Sequence, residues 1–177
     1  MAHIPVIKIR EATKEDAALV FDFIRKKATF DGVLHRVEAT EEKLAAELFG
    51  ARPVAFVLFA EIDSHVVGFA IYFLTFSSFL ARPGIWLDDL FVDESSRGKG
   101  AGKALLSHLG KLAEQRGYGR VEWVTAAHNA KGQAFYRRNG AQVQDTVRVL
   151  RLDRTGISQL AQNGTAVSGD PNVVRVV

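Results

Sequence analysis

The segment at residues 93–106, DESSRGKGAGKALL, combines three glycines with three cations directly after an apolar run. Glycines let consecutive backbone N–H groups approach an anion closely, and the positive end of a following helix adds to the attraction. The spacing Arg97-x-x-Gly100-x-Gly102, between a predicted strand and a predicted helix, therefore indicates a loop that binds a pyrophosphate. A glycine-rich turn without any ligand is the alternative interpretation of this segment alone.

Two other phosphate-binding loops are excluded by single positions. A Walker A loop would need a glycine at position 97 and a hydroxyl at position 104, where the chain has Arg97 and Ala104. A dinucleotide fingerprint would need a third glycine where Lys103 stands. Without the hydroxyl the loop has no ligand for magnesium, and without the third glycine it lacks the dinucleotide pattern. The sequence therefore predicts neither nucleoside triphosphate nor dinucleotide binding.

The composition and net charge exclude several classes of binding site and partner. The chain has 177 residues, of which 47% are hydrophobic and 24% charged, as in an ordinary soluble globular protein. It has no cysteine, which excludes disulfides, thiolate metal sites and a cysteine nucleophile, and its five histidines lack metal-ligand spacing, so we predict no metal site. The net charge of +3 is too small and dispersed to favour nucleic acid over a small anionic ligand. No signal-peptide layout and no apolar run of about 20 residues occur, so we expect a cytoplasmic protein with no membrane partner.

Hydrophobic periodicity predicts the elements around the loop. Strands are expected at 6–10, in a hairpin around the turn Asp63–His65, at 85–92 after an ARPG turn, at 120–127 and at 146–152. Helices are expected after a capping box at Thr13 and Asp16, after an N-cap at Thr40, over the amphipathic segment that ends at Gly117, and over 131–138. The order β-α-α-β-β-β-α-β-α-β predicts an α/β (α+β) fold, a mixed central sheet flanked by helices on both faces. We expect one domain over residues 4–162 and a flexible tail over 163–177.

In this setting the motif resembles the acetyl-CoA signature of the GNAT superfamily of N-acetyltransferases. Four segments, FDGVLHRVEATEEKLAAELFG, VVGFAIYFLTF, IWLDDLFVDESSRGKGAG and NAKGQAFYRRNGA, resemble the spermidine/spermine (diamine) N-acetyltransferase branch in order and spacing. The resemblance covers roughly residues 5–160. It implies a GNAT fold, acetyl-CoA as the donor and a homodimer.

The resemblance also implies cofactor contacts, carried over position by position. The backbone of Leu90, Phe91 and Val92 would pair with the pantetheine arm like an extra strand. The pyrophosphate would be wrapped by Arg97, Gly98, Lys99, Gly100, Ala101, Gly102 and Lys103, and the far side of the arm lined by Asn129, Ala130, Lys131 and Gly132.

Two side chains match the family's proton-transfer groups. An alkylammonium has a pKa of about 10.4, so making the neutral amine at pH 7 costs roughly 4 to 5 kcal/mol. Asp88 matches a glutamate that assists this deprotonation, and because it is one methylene shorter, a bridging water is favoured. Tyr136 matches the tyrosine beside the thioester sulfur and would protonate the leaving thiolate. Asp89 points to the opposite face of a strand from Asp88, and we expect it to be structural.

The acceptor is less determined than the donor. Family enzymes carry a tyrosine and an acidic cluster after the first helix; here Phe30 replaces the tyrosine, Asp31 remains, and His35 and Arg36 stand where further acids would be. A diamine, a polyamine or a lysine-like amine with a carboxylate for Arg36 are therefore the expected acceptors. Candidate substrate-binding residues are Phe30, Asp31, Asp88, Glu122, Trp123 and Asp145. An acetyltransferase for a protein, peptide or antibiotic amine, and a non-catalytic acyl-CoA-binding regulatory protein, are the alternatives.

Overall fold

The computed structural model describes residues 6–163, which fall into two units that meet in the chain between Phe135 and Tyr136. The first unit contains strands β1 Ile7–Glu11, β2 Phe56–Ile62, β3 His65–Ser77, β4 Arg82–Val92 and β5 Val121–Glu122. Its helices are α1 Ala17–Phe30, α2 Glu41–Phe49 and α3 Ala101–Gln115. Helix α4, Ala130–Arg138, spans the division, and helix α5, Arg154–Asn163, belongs to the second unit. Residues 164–177 of the expected tail lie outside the described residues, and the single domain over 4–162 stays a prediction.

The five strands form one mixed sheet in the order β1-β2-β3-β4-β5. Strands β1 to β4 pair antiparallel with their neighbours, and β5 pairs parallel with β4 through Val121 and Glu122. The predicted hairpin is β2 and β3, whose turn is made by Asp63 and Ser64 with positive φ values of 49° and 64°. The mixed sheet that the sequence predicts is thus confirmed.

Helices cover both faces of this sheet. One face packs against α3 in a cluster that we call the α3-side core, which includes Leu58, Ala70, Ile85, Leu87, Leu105 and Leu109. The other packs against α1 and α2 in the α1-side core, which includes Val20, Phe23, Leu48, Phe59, Phe69 and Phe91. Strand β3 supplies alternate residues to both cores, which explains why its sequence is apolar without a clear period of two.

The predicted helix starts are confirmed. The backbone N–H of Thr13 donates to Asp16 Oδ2 at 2.8 Å, and the capping box opens a short 3₁₀ turn, Lys14–Asp16, that leads into α1. Thr40 Oγ1 accepts a hydrogen bond from the backbone N–H of Lys43 at 3.3 Å at the start of α2. Local side-chain chemistry therefore sets where both helices begin.

Three predictions about strand extent are wrong. Residues 146–152 form no strand, and four of their apolar side chains are exposed: Val147, Val149, Leu150 and Leu152. Alternation indicates which side chains share a face, but a strand also needs a paired neighbour, and the described part of the second unit contains none. The ARPG segment lies mostly within β4, which starts at Arg82, and β5 is two residues long rather than eight.

We expect Asp16→Asn to lower the free energy of unfolding at pH 7 by about 2 kcal/mol. Arg10 donates to both Asp16 oxygens, at 2.7 and 2.9 Å, and these bonds hold the pKa of that carboxyl below its usual value. Since the folded pKa lies below the unfolded value of about 3.9, ionised Asp16 stabilises the fold above that pH, and the contribution is lost as the pH falls below it. Urea unfolding at pH 7 and pH 3 should therefore show a smaller acid-induced loss in the variant than in the wild type.

The matched control is Asp22→Asn. Asp22 also pairs with a cation, Lys26, at 3.0 Å, but both side chains are exposed to solvent. We expect a change below about 0.5 kcal/mol, because exposed helix pairs contribute little. Equal losses of unfolding free energy in the two variants would contradict the stabilising role assigned to the Arg10–Asp16 pair.

Candidate active site

A β-bulge in strand β4 creates the site's central feature. The register pairs Ile71 of β3 with Asp89 and the next residue, Tyr72, with Leu87, so Asp88 has no partner on β3. A bulge of this kind bends a strand and redirects its side chains. Leu87 therefore faces the α3-side core before the bulge, and Asp89 lies on the α1 side after it.

The two adjacent aspartates occupy different environments. Asp88 is exposed to solvent. The carboxylate of Asp89 lies 3.1 Å from Lys27 Nζ of α1. Burial raises the pKa of Asp89, and the charges of Asp88 and Asp31 raise it further against the opposing effect of Lys27. Asp89 thus ties the bulge to α1, while Asp88 stays accessible to a substrate.

Beyond the bulge, one edge of β4 offers free backbone groups. The N–H of Asp93 donates to the carbonyl of Val67 at 2.8 Å, and hydrogen-bonded pairs alternate along an antiparallel ladder. Phe91 therefore directs its backbone groups to β3, whereas Leu90 and Val92 direct theirs to the opposite edge. In the described chain β5 pairs with β4 only at Ile85 and Trp86, so this part of the edge has no strand beside it. Of the three predicted pantetheine contacts, Leu90 has both backbone groups on this edge and Val92 has its N–H there, while the Val92 carbonyl accepts a hydrogen bond from Arg97 Nε at 3.1 Å.

The glycine loop leads from that edge into α3. Gly98 and Gly100 have φ values of 79° and 97°, a backbone conformation that residues with a Cβ rarely adopt. Gly100 is the N-cap of α3 and provides no side-chain cap, so the first backbone N–H groups of this 15-residue helix lack a partner from the cap. A Cβ on Gly102 would meet only ordinary contacts, the closest being Phe135 Cζ at 3.6 Å. Positive φ values at glycines and an uncapped helix start are the features expected of the predicted pyrophosphate cradle, residues 97–103.

Arg97, the first residue of the motif, lies on aromatic rings. Its guanidinium is 4.3 Å from the ring centre of Phe30 and 5.5 Å from that of Phe91, and its Nε donates to the carbonyl of Val92 at 3.1 Å. Phe30 and Arg97, which the sequence assigns to substrate and cofactor respectively, are therefore direct neighbours. They line an open cleft of about 600 Å³ between α1 and the loop after β4. Three basic and three acidic residues line this cleft, so its charge alone does not select an anion.

The remaining predicted cofactor-binding residues lie at the start of α4. Asn129 Oδ1 accepts a hydrogen bond from the N–H of Gly132 at 2.9 Å, which makes Asn129 the helix N-cap. A Cβ on Gly132 would lie 2.6 Å from Asn129 Nδ2, so glycine leaves room for that cap. Ala130 and Lys131 form the first turn of the helix behind it.

The other predicted substrate residues are distributed over the two units. Glu122 on β5 accepts from Arg120 Nε at 2.6 Å, and Trp123 packs against the α3-side core. Asp145 lies in the second unit, where its carbonyl accepts a hydrogen bond from Arg148 at 2.7 Å. Tyr136, near the end of α4, is the first residue of that unit.

Sequence reasoning missed Lys27. Its Nζ lies 2.7 Å from Asp31 Oδ2 as well as 3.1 Å from Asp89 Oδ1. The four-residue spacing of Lys27 and Asp31 on a predicted helix could have indicated the first pair. Nothing local could have indicated the second, which joins α1 to β4.

Comparison with known proteins identifies the family. A sequence profile of the acetyltransferase (GNAT) family matches residues 21–141. The chain belongs to the GNAT family. It is an acetyl-CoA-dependent N-acetyltransferase, which confirms the enzyme class, the fold and the donor that the motifs predict.

The GNAT chain has curated relatives that act on amines. L-ornithine N5-acetyltransferase NATA1 of Arabidopsis thaliana is 31% identical over 190 residues, covering 82% of this chain and 83% of the relative. Thialysine N-epsilon-acetyltransferase of Mus musculus is 31% identical over 143 residues, covering 76% and 84% of the two chains. Among solved structures, an integron cassette protein of V. cholerae is 27% identical with a TM-score of 0.74, covering 88% of this chain and 98% of its own.

Within residues 6–163, no group of three or more His, Asp or Glu side chains is arranged to hold a metal ion. Over the same range, every helix falls short of the length and apolarity that a membrane span requires.

We expect Gly100→Ala to weaken acetyl-CoA binding by this GNAT enzyme about tenfold. The φ of 97° costs an L-residue about 1 to 2 kcal/mol, and the added Cβ would lie 3.2 Å from Ile7 Cδ1. Relief of that strain would reorient the backbone N–H groups that are predicted to bind the pyrophosphate. Equilibrium titration with acetyl-CoA measures the change.

Gly110→Ala is the control. Gly110 lies within α3 with open space where a Cβ would stand, so the helix should gain about 1 kcal/mol and the acetyl-CoA Kd should not change. A Gly100→Ala variant whose Kd for acetyl-CoA lies within twofold of the wild-type value would contradict the prediction that this loop binds the pyrophosphate.

Proposed function

We propose that this enzyme transfers the acetyl group of acetyl-CoA to a primary amine of a small molecule, either a diamine or polyamine or a lysine-like amine. The observation that carries the proposal is the exposed Asp88, set by the bulge immediately before the open backbone edge of Leu90 and Val92. This arrangement brings a carboxylate close to where an extended donor arm can pair. The substrates in the names of the curated relatives, ornithine and thialysine, support an acceptor with a side-chain amine.

The donor arm is proposed to lie along the open edge of β4. Acetyl-CoA supplies a thioester whose carbonyl carbon accepts the nucleophile. The backbone groups of Leu90 and the N–H of Val92 would hold the arm as in an added strand, and the cradle of residues 97–103 would hold the pyrophosphate. Asn129 and the first turn of α4 would lie on the far side.

Asp88 is proposed to assist removal of the proton from the acceptor. Its negative charge attracts the ammonium, and its oxygens accept the proton directly or through a water and pass it to solvent. The exposed position supports this exchange, since the proton must leave the site after each turnover. The neutral amine can then attack the thioester directly, with no covalent enzyme intermediate.

Tyr136 is proposed as the general acid. The phenolic hydroxyl carries a proton that it can give to the departing thiolate, and solvent can restore it afterwards. Support comes from the match of FYRRNGA to the family motif and from the family assignment itself.

The test is thiol release from acetyl-CoA with a panel of amines: 1,4-diaminobutane, spermidine, ornithine, lysine, an aminoglycoside and a peptide. We expect turnover with one of the small amines and little with the peptide. A preference for the peptide or the aminoglycoside would overturn the acceptor class. Tight acetyl-CoA binding without turnover on any amine would overturn the enzyme mechanism proposed here.

The resemblance also supports a homodimer, and exposed aromatic residues near the β3–β4 turn are consistent with an interface. Phe79 is 99% exposed, and Phe76 and Leu80 beside it are also exposed. We expect sedimentation velocity at micromolar concentration to give a dimer for the wild type and a monomer for Phe79→Asp. A wild-type monomer under these conditions would contradict the proposal. The cytoplasmic location stays a prediction.

A further inference from the structure

Two carboxylates flank a single ammonium beside the bulge, and a third carboxylate belongs to the residue before one of them. Asp31 ends α1, Asp88 and Asp89 belong to β4, and Lys27 Nζ lies between Asp31 at 2.7 Å and Asp89 at 3.1 Å. The side chains of Lys27, Asp31 and Asp89 keep 26%, 38% and 20% of their exposure, so the group is partly buried but open to solvent. Asp88 is exposed, precedes Asp89 in the chain, and adds its negative charge to the surroundings of Asp89.

Lys27 is a cation at neutral pH. Burial works to lower the pKa of its ammonium, but the charge of Asp89 and the hydrogen bond to Asp31 outweigh burial, and the pKa lies above its usual value. Asp31 and Asp89 come from different elements and face each other across this ammonium. Two carboxylates in that position would otherwise pair with a cation from solution.

We propose that Lys27 is a specificity-determining residue, an internal ammonium that occupies the place where the second cationic group of a diamine acceptor would be paired. This inference rests on the proposed function, in which Asp88 receives the reacting amine. With Asp31 and Asp89 already paired with Lys27, a second ammonium on the acceptor gains less than it would beside two unpaired carboxylates, and it is repelled by Lys27. The enzyme should therefore favour acceptors whose far end is neutral or zwitterionic, such as the amino acid end of ornithine or lysine, over simple diamines.

The experiment measures the binding of two amines of equal length, butylamine and 1,4-diaminobutane, by calorimetry on the full chain saturated with coenzyme A. For Lys27→Met we expect the Kd of 1,4-diaminobutane to fall about tenfold while that of butylamine stays within twofold. Lys27→Arg, which keeps the cation, should retain the wild-type ratio. If Lys27→Met changes the Kd values of both amines by the same factor, or changes neither Kd, the inference is overturned.

Lys26→Met is the matched control, since Lys26 lies on the same helix and also bridges two carboxylates, Asp22 at 3.0 Å and Asp93 at 3.5 Å. We expect it to leave the ratio of the two Kd values unchanged, and a shift equal to that of Lys27→Met would overturn the inference. Because Lys27→Met leaves Asp89 partly buried without its cation, the double variant Lys27→Met/Asp89→Asn is measured as well. In the double variant Asp31 is ionised and no longer paired with Lys27, so we expect the Kd of 1,4-diaminobutane to fall about threefold. A folded double variant with an unchanged Kd would also overturn the inference.

Binding measurements and turnover measurements test this inference and the proposed function separately. The calorimetric ratio tests Lys27 without any catalysis, whereas thiol release tests acetyl transfer. Wild-type turnover with an unshifted ratio would overturn the role of Lys27 alone. A shifted ratio in an enzyme that acetylates no amine would overturn the proposed function and retain the electrostatic role of Lys27.

Discussion

Asp88→Asn is expected to lower kcat/KM for amine acetylation roughly 100- to 1,000-fold at neutral pH, while the acetyl-CoA Kd stays within threefold. Asparagine keeps the size of the side chain but accepts no proton and attracts no ammonium. The side chain is exposed at a bulge, so the substitution should leave the stability of the fold unchanged. Steady-state kinetics with the preferred amine and urea unfolding measure the two effects.

The neighbouring Asp89→Asn should produce the opposite pattern. It removes a partner of Lys27 across the contact between α1 and β4, but it also removes the cost of burying a carboxylate, so we expect a loss of about 1 kcal/mol in the free energy of unfolding. Activity per folded molecule should fall less than about fivefold. If Asp89→Asn abolished turnover and Asp88→Asn did not, the proton-accepting role would belong to Asp89 and the assignment of Asp88 would be wrong.

Tyr136→Phe is expected to lower kcat about 100-fold or more, with little change in the Kd for acetyl-CoA. The variant removes only the hydroxyl, so the loss should appear in the step that protonates the thiolate. Acetyl donors with a more acidic thiol should recover part of the rate, because their thiolate leaves without a proton. Kinetics with acetyl-CoA and with such a donor measure both quantities.

Tyr118→Phe provides the control for loss of a hydroxyl. Tyr118 packs against the α3-side core and is not among the proposed site residues, so we expect kcat to stay within twofold of the wild type. A Tyr136→Phe variant with an unchanged rate would remove Tyr136 from the mechanism. Equal losses in both variants would indicate a structural effect.

Much of the fold was predictable because its signals are local. The capping box at Thr13 and Asp16 and the N-cap Thr40 form hydrogen bonds with backbone groups only a few residues away. Both can therefore be recognised from short segments of the sequence. The hairpin of β2 and β3 is predictable for the same reason. The strand predicted at residues 146–152 failed because pairing depends on what lies beside a segment, which periodicity does not contain.

The donor also follows from the sequence. A pyrophosphate cradle is made from consecutive backbone N–H groups, and two of the glycines that permit it, Gly98 and Gly100, lie in the same short segment of the chain. The motif therefore predicted a pyrophosphate-binding loop without any tertiary information, its resemblance to the GNAT signature implied acetyl-CoA, and the family match confirms that donor.

Only the tertiary structure decided which acids are available to a substrate. The bulge at Asp88 depends on the register between β3 and β4, and the pairing of Asp89 with Lys27 joins residues 62 positions apart. Asp31, a candidate for binding the acceptor, is already paired with that same lysine. Charges act through space rather than along the chain, so the sequence determined the type of donor site and the fold determined which carboxylates remain for the amine.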